Sequence, residues 1–269
     1  MQWLPYKWQY QLFYLLYRWA LAIYFSGWLI GLGTQLTSFF FIFLTDWSLL
    51  LFTTYLVYAA VCVTFDYFET FVFCRNKHFE VNSDERYTKG VGEERHSSAI
   101  TRPHGCLGST HNQLKWYDML HWVLFTLGTE AAVSVVVLFW TALYRGGPVN
   151  PYDGNIHLGN GIAALIDVWV TGIPVRILHF FYIQIYGTIY SLFSVIYYLA
   201  GGLDPWGHPY IYPVLDYSAN PGGAAGLLVG AFLCVPLVHM LFYVQYITRR
   251  WLVYLLCHRR QPLDTDPLA

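Results

Sequence analysis

The chain has 269 residues, of which 56% are hydrophobic, 20% aromatic and only 12% charged, with a mean hydropathy of +0.40. Too few polar side chains remain to coat a soluble globule, so the solvent that fits this composition is a bilayer. The net charge of −1 names no polyanionic partner, and the basic residues of the charge-rich stretch 75–118 alternate with Glu80, Asp84, Glu85, Glu93 and Glu94. That mixture excludes a nucleic-acid surface.

A membrane helix needs about 20 consecutive apolar residues. Six runs answer that description, at about 11–31, 46–66, 119–143, 158–175, 178–199 and 224–247. The expected fold is therefore all-α, a polytopic membrane helix bundle with six transmembrane helices in a single domain over 1–269. The first run exceeds a signal-peptide core and no small-residue cleavage region follows it, so it reads as a retained helix. Segment 75–118 reads as a partly disordered cytoplasmic loop. Segment 144–157 is Gly/Pro/Asn-rich and turn-forming. In 201–222, Asp204-Pro205, His208-Pro209 and Pro221-Gly222-Gly223 mark an ordered loop anchored by Trp206, Tyr210, Tyr212 and Tyr217. A short cytoplasmic tail, 248–269, closes the chain.

With six spans, Lys7, the basic residues between Arg75 and Lys115, Arg176, and Arg249, Arg250, Arg259 and Arg260 all fall on one side. The other side holds only Arg145. Positive-inside bias then places both termini in the cytoplasm, without separating plasma membrane from endoplasmic reticulum. The 5 cysteines show no C-x-x-C spacing and none lies in the loops predicted to face outward, which argues against a disulfide or a structural zinc site.

Polar residues inside such runs are costly and therefore informative. Glu130 and Asp167 fall near the middle of their helices by the 1.5 Å rise per residue, where each is either packing glue or part of a substrate cavity or proton path. Arg18 reads as paired or snorkelling. Thr45 opens the second run and His157 the fourth, so a membrane topology brings both to one face. An imidazole beside a threonine hydroxyl is a base that makes it a nucleophile. The competing reading of Thr45 is an N-cap of its helix. His157 is followed by Asn160 at i+3, on the same helical face. Asp204, His208 and Asp216 lie in a loop on that side, where they either orient His157 and shape a mouth or simply form turns beside prolines.

These residues carry a resemblance. Phe43-Leu44-Thr45-Asp46-Trp47, Phe139-Trp140-Thr141-Ala142-Leu143-Tyr144, His157-x-x-Asn160 followed by Leu165-Ile166-Asp167, and the aromatic stretch from Trp206 to Asp216 together resemble the rolling stone family. That family is related to the androgen-induced (FAR-17a) and androgen-dependent TFPI-regulating membrane proteins. The resemblance implies a multi-pass hydrolase of long-chain lipid esters, of the fatty-acid ester of hydroxy fatty acid type, with Thr45 as nucleophile and His157 as its partner. Its substrates and surroundings would be membrane lipids, with no cofactor and no metal. Backbone N–H groups at the head of the second helix, or the Asn160 amide, are then the candidates to hold an oxyanion.

Two other classes stand beside this one. The first is a non-enzymatic membrane protein in cell fusion, adhesion or signalling, which the rolling stone resemblance also implies. The second is a b-type haem electron carrier, which needs two imidazoles at one depth, for which His121 and His179 are the candidates. Desaturase-type iron sites are excluded by the lack of H-x-x-H-H or H-x-x-x-H clusters.

Overall fold

The computed structural model describes residues 8–88, 115–144, 146–149 and 151–258, and among these the regular structure is entirely helical. α1 (Trp8–Leu36) runs into a 3₁₀ turn (Thr37–Ile42), α2 spans Leu44–Thr88, and α3 (Trp116–Leu138) ends in a π turn (Phe139–Leu143). α4 (Pro151–Gly154), a second π turn (Asn155–Gly159) and α5 (Asn160–Val170) follow without a break. α6 covers Phe180–Leu199 and α7 Pro221–His258. In hydrocarbon every backbone N–H and C=O must find a partner within the chain, and helices meet that demand segment by segment.

Among the described residues five helices are long and apolar enough to cross a membrane: Gln11–Ile42, Leu44–Glu69, Trp116–Leu143, Ile177–Leu199 and Pro221–Leu256. The run expected at 158–175 is not among them. Its helix begins earlier, at Pro151, and stops at Val170, after which 171–176 carries no regular structure. Pro174 explains the early end, because proline lacks the N–H a helix interior requires and disfavours helix in the residue before it. The expected loop at 75–118 also differs, since α2 stays helical as far as Thr88; 89–114 lies outside the described residues.

The elements alternate between two ends of the bundle. At the upper end meet the start of α2, the end of α3, the start of α4, and loop 200–220, where Phe43 packs on Tyr212 and Tyr190 donates to the Ile42 carbonyl at 2.8 Å. At the lower end Tyr58 donates to the Tyr117 carbonyl at 3.0 Å, and the Arg176 guanidinium lies over the Trp122 ring. α2 buries Leu49, Phe52, Leu56, Ala59 and Ala60 at helical spacing. α3 approaches it through Gly128, where an added methyl would sit 3.1 Å from the Leu51 carbonyl oxygen and the Phe52 Cα. Small residues at such crossings let backbones close together where no hydrophobic force between helices operates. α6 shows the complementary face, with Ile185, Ile189, Leu192, Ile196 and Leu199 all exposed, a stripe suited to lipid.

A fully buried ion pair ties α1 to α5. Arg18 Nη1 donates to Asp167 Oδ1 at 2.8 Å and Oδ2 at 3.0 Å. Tyr14 accepts from Arg18 Nε and Nη2 at 3.0 and 2.7 Å, while Tyr17 and Tyr55 donate to the carboxylate. The expectation that Arg18 is paired or snorkelling resolves to a pair, and Asp167 is its counter-ion.

Candidate functional site

Just below the upper end, a cavity of about 950 Å³, counted out to its mouth, lies among the head of α2, α3, α6 and α7, roofed by Tyr212, Val214 and Leu215. Its walls are mostly aliphatic and aromatic, with Leu228, Phe232 and Val235 contributed by α7. Polar groups gather in one layer. Thr45 and Ser48 come from α2, Ser134 from α3, and Gln184, Tyr186 and Tyr190 from α6.

Antiparallel packing explains the layer. α2 and α3 touch at Phe52 and Gly128, so Ser134, six residues up α3, comes level with Asp46, six residues back along α2, each about 9 Å away by helical rise. Ser48 and Tyr186 share a hydrogen bond of 3.1 Å, which brings α6 to the same height. Ser134 Oγ and Gln184 Oε1 are buried without a hydrogen-bond partner.

Thr45 is the second residue of α2, and the turn is closed by Asp46 and Trp47 N–H groups donating to the Phe43 carbonyl at 3.2 and 3.3 Å. Phe43 therefore holds the N-cap position, which corrects the reading of Thr45 as the cap. The Leu44 N–H donates to the Tyr212 hydroxyl at 3.0 Å, and the Thr45 N–H is directed to the same hydroxyl. Tyr212 also hydrogen-bonds Thr45. With these amides taken, the head of α2 offers no free N–H among them for an oxyanion, contrary to expectation.

His157 lies in the second π turn and does not line the cavity. Its ring stacks flat on Phe139, centroids 3.7 Å apart and 5° from parallel, and Phe139 is itself a cavity wall. The Nδ1 of His157 is buried without a partner. Trp140 donates to the His157 carbonyl at 3.3 Å, so two π turns, 139–143 and 155–159, are locked face to face. Asn160 is buried outside the cavity; its Oδ1 accepts from the Gly161 N–H at 2.7 Å and its Nδ2 is unpartnered. The wider π winding also removes the simple i+3 alignment of His157 with Asn160.

The remaining expected site residues serve their own neighbourhoods. Glu130 is buried against His239, Oε1 to Nδ1 at 2.8 Å, and His239 Nε2–H donates to the Arg176 carbonyl at 3.0 Å. Asp204 does not reach His157. It binds the His208 ring at 2.9 Å and accepts from the Trp206 and His208 N–H groups. Burial alone would raise its pKa, but these hydrogen bonds outweigh burial and hold it below the ordinary carboxylate value. Asp216 accepts from the Ala219 and Ser218 N–H groups and the Ser218 hydroxyl, which likewise lower its pKa, the Ala219 N–H most. Asp204 and Asp216 make turn contacts, and the His208 ring pairs with Asp204 and stacks on Tyr210.

His121 packs against Tyr55 and Tyr58, and His179 against Trp122 and Tyr182. Among the described residues no cluster of three His, Cys, Asp or Glu side chains is placed to hold a metal.

Sequence reasoning passed over Ser48, Ser134, Gln184 and Tyr186. The signal in the sequence is that each is a polar group inside an apolar run. Tyr212 was identified as an interfacial anchor, and nothing local marks it as the partner of Thr45.

Comparison with known proteins places this architecture. The chain is 30% identical over 247 residues to "Protein rolling stone" of Drosophila melanogaster, covering 88% of this chain and 78% of that protein. No solved structure matches. The profile of the family described as "Rost: Protein rolling stone" matches residues 2–258, and with five apolar helices able to cross a membrane, the chain is a multi-pass membrane protein that belongs to the rolling stone family.

Proposed function

We propose that this chain is a membrane hydrolase of long-chain lipid esters, with Thr45 as the nucleophile and His157 as the base. The observation that carries the reading is the position of Thr45, a hydroxyl in the polar layer of an otherwise apolar cavity. An acyl chain fits between α3, α6 and α7, with its ester carbonyl at the level of Thr45. Thr45 Oγ1 attacks the carbonyl carbon as His157 takes its proton; the alcohol leaves with that proton, and water then cleaves the acyl-threonine. The unpartnered Nδ1 of His157 is free to accept a proton once the Phe139 ring turns aside. Tyr212, already at hydrogen-bond contact with Thr45, is the nearest O–H donor to a developing oxyanion.

The same proposal includes six crossings, the fourth made by α4, the π turn and α5, and both termini in the cytoplasm. Alternating lysine and arginine content supports this orientation, which turns the cavity toward the outer leaflet or lumen.

The test uses purified full-length protein, a fluorophosphonate probe and a panel of long-chain lipid esters. The expected outcome is hydrolysis and a covalent adduct on Thr45. Thr45→Ala and His157→Ala lose both, and Thr45→Ser keeps part of the activity because the hydroxyl survives. Absence of hydrolysis and of labelling at Thr45 overturns the enzyme reading in favour of a non-enzymatic role in cell fusion, adhesion or signalling. The Tyr212–Thr45 contact would then be a loop anchor and nothing more.

A further inference from the structure

The inward stripe of α6 has a gap in its middle. Ile183, Tyr190 and Ser194 are buried along it, and Gly187 takes the position between Ile183 and Tyr190, on the cavity wall. A methyl added there would find no neighbouring atom within 4 Å. The contrast with Gly128 is direct, since there α2 closes in until an added methyl would meet its backbone at 3.1 Å. Glycine in a helix interior costs stability, which close packing between membrane helices can offset. No element has moved in at Gly187, so the missing side chain leaves open space instead of a tight crossing.

Level with it on α7 is Phe232. The Phe180 and His239 rings meet with 6.3 Å between centroids, which sets the register of the antiparallel pair α6 and α7. Gly187 lies seven residues above Phe180, and Phe232 seven residues above His239, so both stand about 10 Å above that contact by helical rise. Among the described residues that line the cavity, Phe232 is the exposed one, at 53%. Its neighbours Val229 and Leu233 are exposed as well and do not line the cavity. Phe232 therefore marks the edge where the cavity wall turns into the outer face of the bundle. α6 continues from Gly187 up to Leu199, about 18 Å of helix. A mouth at this depth lies inside the hydrocarbon core, about 30 Å thick, and opens on lipid tails rather than on water. It also leads to the polar layer, because Tyr186, next to Gly187, shares its hydrogen bond with Ser48, one turn of α2 from Thr45.

We propose that Gly187 and Phe232 frame a lateral entrance, a slot between α6 and α7 through which the hydrocarbon chain of a lipid dissolved in the bilayer enters the cavity. Gly187 holds the slot open and the Phe232 ring narrows it. This deepens the hydrolase reading, on which it rests for the fate of that lipid: the substrate reaches Thr45 from within the membrane, without passing through water.

The experiment places the full-length protein in lipid nanodiscs containing hexadecyl methyl ether with a diazirine in its chain, irradiates them and maps the adducts by mass spectrometry. The probe holds no ester, so entry is read without turnover. Val135 and Ile183 line the cavity and are buried, so adducts on them report a chain inside it. Ile185 and Leu192, exposed on α6, report the surrounding lipid. The wild-type protein is expected to be labelled at both sets. Gly187→Leu fills the slot and loses the cavity adducts while keeping the outer ones; Phe232→Ala widens the slot and raises the cavity adducts. Phe232→Ala trims an exposed side chain and so keeps the fold, and it decides the question alone where Gly187→Leu does not fold. A wild-type protein without adducts on Val135 and Ile183, or cavity adducts that neither substitution changes, overturns the lateral entrance; unchanged adducts would place entry beneath the roof at 212–215. Cavity adducts that respond to both substitutions in a protein that cleaves no ester uphold the entrance and remove the hydrolase reading alone.

Discussion

Two polar clusters are buried in the same bundle, and their atoms are used in opposite ways. Around Arg18 and Asp167, the guanidinium, the carboxylate and three tyrosine hydroxyls are knitted together, with both carboxylate oxygens accepting. Around the cavity, Ser134 Oγ and Gln184 Oε1 accept and donate nothing. Charged atoms buried in a low-dielectric medium must be matched within the chain, and a matched cluster has nothing left to offer a ligand. Neutral hydroxyls and amides cost less to leave open, so a binding site is affordable where the groups are uncharged. By this contrast the Arg18–Asp167 cluster is a fastener between α1 and α5, and the cavity is where chemistry is to be sought.

Substitutions sharpen the contrast in order of size. Asp167→Ala strands the buried Arg18 cation, and unfolding followed by circular dichroism in detergent should show a loss of about 3–5 kcal/mol, the range for breaking one partner of a buried pair. A value as small as that of a surface ion pair would dissolve the distinction between the clusters. Gly128→Ala drives a methyl against the backbone of α2 and should cost about 1–3 kcal/mol by overpacking, measured in the same unfolding assay. Thr45→Ala removes one hydrogen bond to Tyr212 and should cost only about 1 kcal/mol, while probe labelling at position 45 disappears entirely. Gln184→Leu should leave stability unchanged or raise it slightly, because an unpaired acceptor is replaced by apolar atoms.

The smallest effect concerns loop 200–220. Asp204 has its pKa lowered in the folded state by the His208 and Trp206 hydrogen bonds despite its burial. A depressed carboxylate stabilises the loop fully above its unfolded value, about 3.9, and loses that contribution as pH falls through the lower folded value. Hydrogen exchange at the Trp206 and His208 amides, corrected for intrinsic rates, should therefore stay constant from neutral pH to about pH 4 and accelerate below it; Asp204→Asn should remove the transition.

Much of the bundle was legible in the chain because hydropathy is a local property. The runs near 119–143 and 178–199 match α3 with its π turn and α6 with its 3₁₀ lead to within a few residues. The weak run at 158–175 was misplaced because its apolar residues continue past Val170, while the helix stops short of Pro174. The end of α2 was misplaced for the opposite reason, since 75–88 is too polar to register as a membrane run yet remains helical.

For the site, composition and order alone singled out Thr45 as a helix-head hydroxyl, and positional reasoning put His157 at the same end of the bundle. Arg18 and Asp167 were each recognisable as ions that a membrane interior would force into partnership. Which partner each takes is decided by how helices pack. Tyr17 and Arg18 meet Asp167 because α1 and α5 run antiparallel in contact, 149 residues apart in sequence for the ion pair. Tyr212 reaches Leu44 and Thr45 only because loop 200–220 folds over the head of α2. Phe139 comes between the cavity and His157 because two π turns stack, and neither π turn has a signature in local hydropathy. A chain fixes what each segment buries through its own side chains; which polar groups share a cavity depends on helix register and rotation, and those are set by contacts between segments far apart in sequence.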